Sequence, residues 1–166
     1  MEYTYPDGTK LFFDGRCMQG CEGLYASYLQ GSKGSAVVSK AGDIGHPSSI
    51  YKTQSLKRPD LVWESKMKAG EEDPYLNEWN DLIDAIRKDK PYNEVKRGVE
   101  ASLVTSMGRM AAHTGQEITF NDMLNCKHEF APGLDTLTSE SPAPLKADKD
   151  GRYPVPTPGV TKTREY

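Results

Sequence analysis

DPYLNEWNDLIDAIRKDKPYNEVKRGVEASLVTSMGRMAAHTGQEITF, residues 73–120, carries the strongest fold signal in the chain. The stretch predicts two consecutive helices, a short strand and the start of a third helix. Asp73 is placed to cap the first helix, and Pro74 suits its first position. Leu76, Trp79, Ile83 and Ile86 recur at three- and four-residue spacing and make one apolar stripe. Acids at its start (Glu71, Glu72, Asp73, Glu78) and bases at its end (Arg87, Lys88, Lys90) suit the helix dipole, and Pro91 stops it. Asn93 is placed to cap the second helix and Gly115 to end it. Thr119 caps the third helix, with Asp122 completing a capping box and Met123 and Leu124 inside.

The second helix has two non-polar faces. Val95, Val99, Leu103, Met107 and Met110 form a bulky stripe; Gly98, Ala101, Thr105, Gly108 and Ala112 form a stripe of small residues. Small side chains let another backbone come close. The expectation is a helix buried on two sides, between a sheet and a second body. An ordinary amphipathic helix with small residues toward solvent fits the pattern equally well.

Upstream the chain reads as β-rich. Tyr3 to Tyr5 leads into Pro6-Asp7-Gly8, a turn, and Lys10 to Cys17 returns as the second arm of a hairpin. Leu24–Gln30 and Ser35–Ser39 make a second hairpin around Gly31-Ser32-Lys33-Gly34. GSKGS lacks the Walker spacing and precedes a strand rather than a helix, so it reads as a hairpin turn and not a phosphate loop. Apolar residues fall on both faces of these strands, as with Phe12 against Leu11 and Phe13. Such a sheet needs cover on both sides. Residues 40–59 form a loop-rich excursion with a strand at Ser49–Thr53, and Leu61–Glu64 is another short strand. Residues 127–166 hold six of the eleven prolines, including SPAP and YPVPTPGV. They read as an extended tail that wraps over a surface through Leu134, Leu137, Tyr153 and Val155.

The fold class is therefore α+β: a mainly antiparallel open sheet, helices packed on one face, and an extended Pro-rich C-terminal tail. The length of 166 residues is enough for a real core. A net charge of −3, without a Lys/Arg cluster, argues against a nucleic-acid partner. No apolar run is long enough to span a bilayer. The opening MEYTYPDGTK reads as strand and turn rather than a signal peptide. Three cysteines do not make a disulfide framework. Cys17 and Cys21 (C-x3-C) with Cys126 and His128 (C-x-H) could be grouped as zinc ligands, but the spacing fixes no tetrahedral cage. The expectation is no metal: two cysteines on strands and one at a helix end.

Several segments together resemble one family: YPDGTKLFFDGRCM, ASYLQGSKGSAVVS, PYLNEWNDLIDAIRKDKPYNEV, SLVTSMGRMAAHTGQEITFNDML and the YPVPTPG tail. In order and spacing they are similar to the C-terminal domain of bacterial Gfo/Idh/MocA oxidoreductases, the glucose–fructose oxidoreductase and inositol dehydrogenase type. The resemblance implies a two-domain parent that transfers hydride between a sugar or polyol carbon and NAD or NADP. An N-terminal Rossmann domain would hold the dinucleotide, a Glu-Lys-Pro segment would place a lysine near the nicotinamide, and an Asp/His motif would move the proton. None of these signatures stands in this chain, and His46, His113 and His128 do not fit the Asp/His motif. His113, near the end of the second helix, reads as a surface cation.

No catalytic, cofactor-binding or metal residue is therefore carried across. Residues 1–126 are expected to be part of the second, substrate and oligomerisation domain, starting partway through it, and 127–166 a wrapping tail. The missing Rossmann domain and further copies of the chain, met through the sheet, are the expected partners. The cytoplasm is the expected location, any export signal belonging upstream. Arg16 and Tyr28 are candidate walls of a substrate pocket, because cationic and phenolic groups suit hydroxyl-rich ligands; more readily they are surface residues on strands. The alternative is a freestanding α+β sugar-binding or protein-interaction module.

Overall fold

Pro6-Asp7-Gly8 turns the chain as its residue types require. Gly8 takes φ 84°, its N–H donates to Tyr5 O at 2.9 Å, and the Asp7 carboxylate accepts from Thr9 N–H at 2.9 Å. That backbone bond from Thr9 holds the Asp7 carboxyl below its ordinary pKa. The turn joins β1 (Glu2–Thr4) to β2 (Lys10–Phe12), an antiparallel pair. The computed structural model describes residues 1–40, 47–66, 70, 73–129 and 131–166. It bears out the α+β class, with all strand pairs among the described residues antiparallel. The strands form two sheets rather than one, of two and four strands.

Contacts divide the chain into two units. One joins Met1–Arg16 to Asn93–Tyr166; the other is Cys17–Tyr92. In the first unit the hairpin is accompanied by α2 (Val95–Thr114) and α3 (Phe120–Leu124). In the second, β3 (Ser27–Gly31), β4 (Gly34–Ser39), β5 (Ser49–Tyr51) and β6 (Leu61–Glu64) form a sheet in sequence order, followed by α1 (Pro74–Arg87).

The helix ends obey local chemistry. Asp73 accepts from Tyr75 N–H at 2.9 Å and Leu76 N–H at 3.2 Å, and Pro74 begins α1. Asn93 serves α2 from one residue further out than expected: Glu94 is the cap residue, while the Asn93 side chain accepts from Val95 N–H at 3.0 Å. Gly115 ends α2 at φ 68°, where only glycine is free of Cβ strain. Thr119 and Asp122 form the reciprocal box that starts α3. Hydrogen bonds from the Thr119 hydroxyl and backbone hold Asp122 below its ordinary pKa.

Three expectations fail. No strand lies between α2 and α3, because residues 115–119 are spent on the glycine cap and the next helix's capping box. Cys17 and Cys21 are exposed in the connection between β2 and β3 rather than on strands. The α1 stripe of Leu76, Trp79, Ile83 and Ile86 is exposed; the residue α1 buries is Ala85. Glu71 and Glu72, expected to favour the start of α1, lie outside the described residues, as does His46.

Candidate interaction surfaces

Register decides which side chains share a face of the four-stranded sheet. Ser35 pairs with Tyr51 and Val37 with Ser49, and these four residues are the buried ones. That side is largely polar and internally satisfied. Ser35 Oγ donates to Thr53 O at 2.8 Å, and Ser49 Oγ donates to Tyr51 Oη at 3.2 Å. Gly34 is required where the β3–β4 turn crosses β5, since a Cβ there would run into the Tyr51 carbonyl. GSKGS is thus a hairpin turn, as its flanks predicted.

The opposite face carries the greasy row. Leu29 pairs with Ala36, Ala36 with Ile50, and Ile50 with Trp63, so one line of apolar residues crosses all four strands. Leu29 is 60% exposed, Ile50 47% and Trp63 50%. Val38, two residues on from Ala36, extends the patch. The row is contiguous apolar surface open to solvent.

In the first unit, α3 folds back beside α2. Val95, Gly98, Val99, Ser102, Leu103 and Ser106 of α2, with Met123 of α3, line an open groove of about 540 Å³. The stripe of small residues is not covered as a whole. Gly108 is buried, because a Cβ there would overlap the Tyr3 hydroxyl and lie 3.1 Å from Met1 Sδ; Gly98 faces open space. Tyr3 Oη donates to Val104 O at 3.2 Å, which seats the hairpin on the helix. Of the two stripes, Gly108 and Met110 are buried, both on the C-terminal half of α2, while Thr105 and Ala112 of the small-residue stripe stay exposed.

The tail departs from the expected wrapping. Leu134, Leu137, Tyr153 and Val155 are all exposed. Its contacts come at Gly159, whose N–H donates to Thr114 O at 2.8 Å, and at Glu165, which meets Arg109 and His113. His113 is thus a hydrogen-bond partner of a buried carboxyl rather than a plain surface side chain. Arg109 and His113 stand four residues apart on α2, and nothing local to Glu165 in the sequence marks it as their partner. His128 lies edge-on to Tyr166, ring centroids 6.2 Å apart.

Arg16 closes the sequence of the hairpin arm in the first unit, and Tyr28 stands on β3 in the second; both are exposed. Tyr28 pairs with Val37, so it lies at the margin of the buried face and not in the apolar row. Among the described residues, no three His, Cys, Asp or Glu side chains gather in a metal-sized cluster, and no helix is long and apolar enough to cross a membrane.

The accessible surface is large for the mass. It totals 13896 Å² for an 18.4 kDa chain. A compact monomer of that mass exposes about 8,200 Å², and two separate compact bodies of half the mass about 9,900 Å². The buried apolar residues among those described are Val37, Tyr51, Ala85 and Met110. No protein-family model, curated protein or solved structure matches the chain.

Proposed function

We propose that this chain supplies the sheet-bearing, substrate- and assembly-side domain of an NAD(P)-dependent sugar or polyol oxidoreductase of the Gfo/Idh/MocA type. The observation that carries the assembly half of this reading is the row Leu29–Ala36–Ile50–Trp63, apolar and open across every strand of the sheet. A face of this kind is unfavourable in water and is explained by a covering body. The family half rests on the order of the five segments quoted above.

The dinucleotide does not fit the residues present. There is no Gly-rich turn between a parallel strand and a helix, and the described strand pairs are all antiparallel. The nucleotide and the acid/base group belong, on this reading, to a Rossmann-type body outside these residues. This chain contributes walls and contacts.

Light scattering coupled to size exclusion tests the assembly half. The chain at tens of micromolar is expected to run as a dimer or larger, and Ile50→Lys, on the open face, to run as a monomer. A wild-type monomer of 18.4 kDa would sink it. Calorimetric titration tests the division of labour: micromolar NAD(H) binding to this chain alone would overturn it. A coding sequence upstream of Met1 that specifies a Gly-rich βαβ unit would favour the oxidoreductase over a freestanding interaction module, and one without it the module.

A further inference from the structure

Glu165 is the only charged side chain buried among the described residues, at 2% exposure. A carboxylate taken out of water must be compensated by charge and hydrogen bonds. Both are present. Arg109 Nε donates to one carboxylate oxygen at 3.0 Å, and His113 Nδ1 lies 2.7 Å from the other. The two partners are four residues apart on α2, so one helix face presents them together. A second tether lies one turn of chain earlier: Gly159 N–H donates to the carbonyl of Thr114, the last residue of α2. Pro158 and Gly159 rest against the helix cap, since a Cβ on Gly115 would lie 3.1 Å from Gly159 N and 3.4 Å from Pro158 Cβ.

The rest of the tail is not held in this way. Residues 137–156 form no helix or strand, and Tyr153 and Val155 project into solvent. The segment is thus fixed at its end by polar bonds and by the edge-on contact of Tyr166 with His128. We infer that residues 157–166 form a releasable latch over the last turns of α2, bolted by Glu165. In the closed state Glu165 neutralises the Arg109–His113 face and Gly159 blocks the Thr114 carbonyl. Opening rehydrates all of these groups and bares the C-terminal end of α2.

Limited trypsin digestion of the full chain, with cleavage after Lys162 followed by mass spectrometry, tests this. Proteolysis reports the population of the opened segment when closing is fast. Glu165→Ala is expected to accelerate cleavage after Lys162 by about tenfold or more, with cleavage inside residues 17–92 unchanged. Arg109→Gln is expected to give a smaller acceleration of the same kind. Cleavage of both variants at the wild-type rate would overturn the latch. Should Glu165→Ala also expose residues 17–92, Arg109→Gln decides alone: Arg109 is 48% exposed and Gln keeps helix propensity, so the fold is retained. A wild-type rate for Arg109→Gln would then refute the inference.

Discussion

The first and last halves of α2 follow the same local rules and end in opposite situations. Residues 95–102 are exposed on every side, Val95 and Val99 included. From Leu103 onward the helix is progressively covered, with Gly108, Met110 and Thr114 buried. Helical spacing, apolar content and small-residue stripe run through both halves without a break. What differs is the arrival of distant chain. Tyr3 reaches Val104 from 101 residues away, and Glu165 reaches Arg109 from 56. Periodicity therefore tells which residues share a face, and only the distant partner tells whether that face is covered.

The largest expected contrast is in core truncation. Met110→Ala should destabilise the isolated chain by about 2–5 kcal/mol, the usual cost of emptying a buried site. Val99→Ala on the bare half should change it by less than about 0.5 kcal/mol. Urea unfolding followed by circular dichroism measures both. Equal losses would mean that the two halves are covered alike.

Glycine replacements give a smaller contrast of the same sort. Gly98 meets open space, so Gly98→Ala should stabilise by about 0.5–1 kcal/mol through helix propensity. At Gly108 the new methyl displaces the Tyr3 hydroxyl, and loss of its bond to Val104 O costs about 0.5–1.5 kcal/mol. Gly108→Ala should therefore show no net gain. Matching gains at the two sites in thermal melts would show that Tyr3 is not seated on the helix.

The smallest effect concerns α3, which borders the bare half. Asp122 is held below its ordinary pKa by Thr119. A depressed folded-state pKa adds stability above the unfolded value, and that stability disappears as pH falls through the folded one. Amide exchange in residues 120–124 should rise as pH drops below the ordinary carboxylate range, after correction for intrinsic rates. Asp122→Asn should remove most of this dependence. A variant that keeps the wild-type profile would assign the change to another group.

Much of the local architecture was legible. The Asp73, Gly115 and Thr119–Asp122 signals work through atoms within a few residues, and each forms as its chemistry requires. The β6 strand and both hairpins were legible for the same reason. Burial was not. Leu76, Trp79, Ile83 and Ile86 look like a core stripe and stand in water, while the sheet buries Ser35 and Ser49. Arg16 and Tyr28 were chosen by side-chain chemistry alone, and they fall in different units. Glu165 was missed because a lone carboxylate in a polar tail gives no local sign of burial, and its partners Arg109 and His113 lie 56 and 52 residues away.

The division of the chain into units also sets an order of events during synthesis. Residues 17–92 are continuous and can assemble as soon as they leave the ribosome, whereas the other unit needs both ends of the sequence. The β1–β2 hairpin emerges before its partner Val104 and must wait for it, a delay of roughly 5–20 s at ordinary translation rates. The last bond, from Glu165 to α2, forms only when the tail has emerged, so this unit is completed from both ends of the sequence after residues 17–92 have had time to fold.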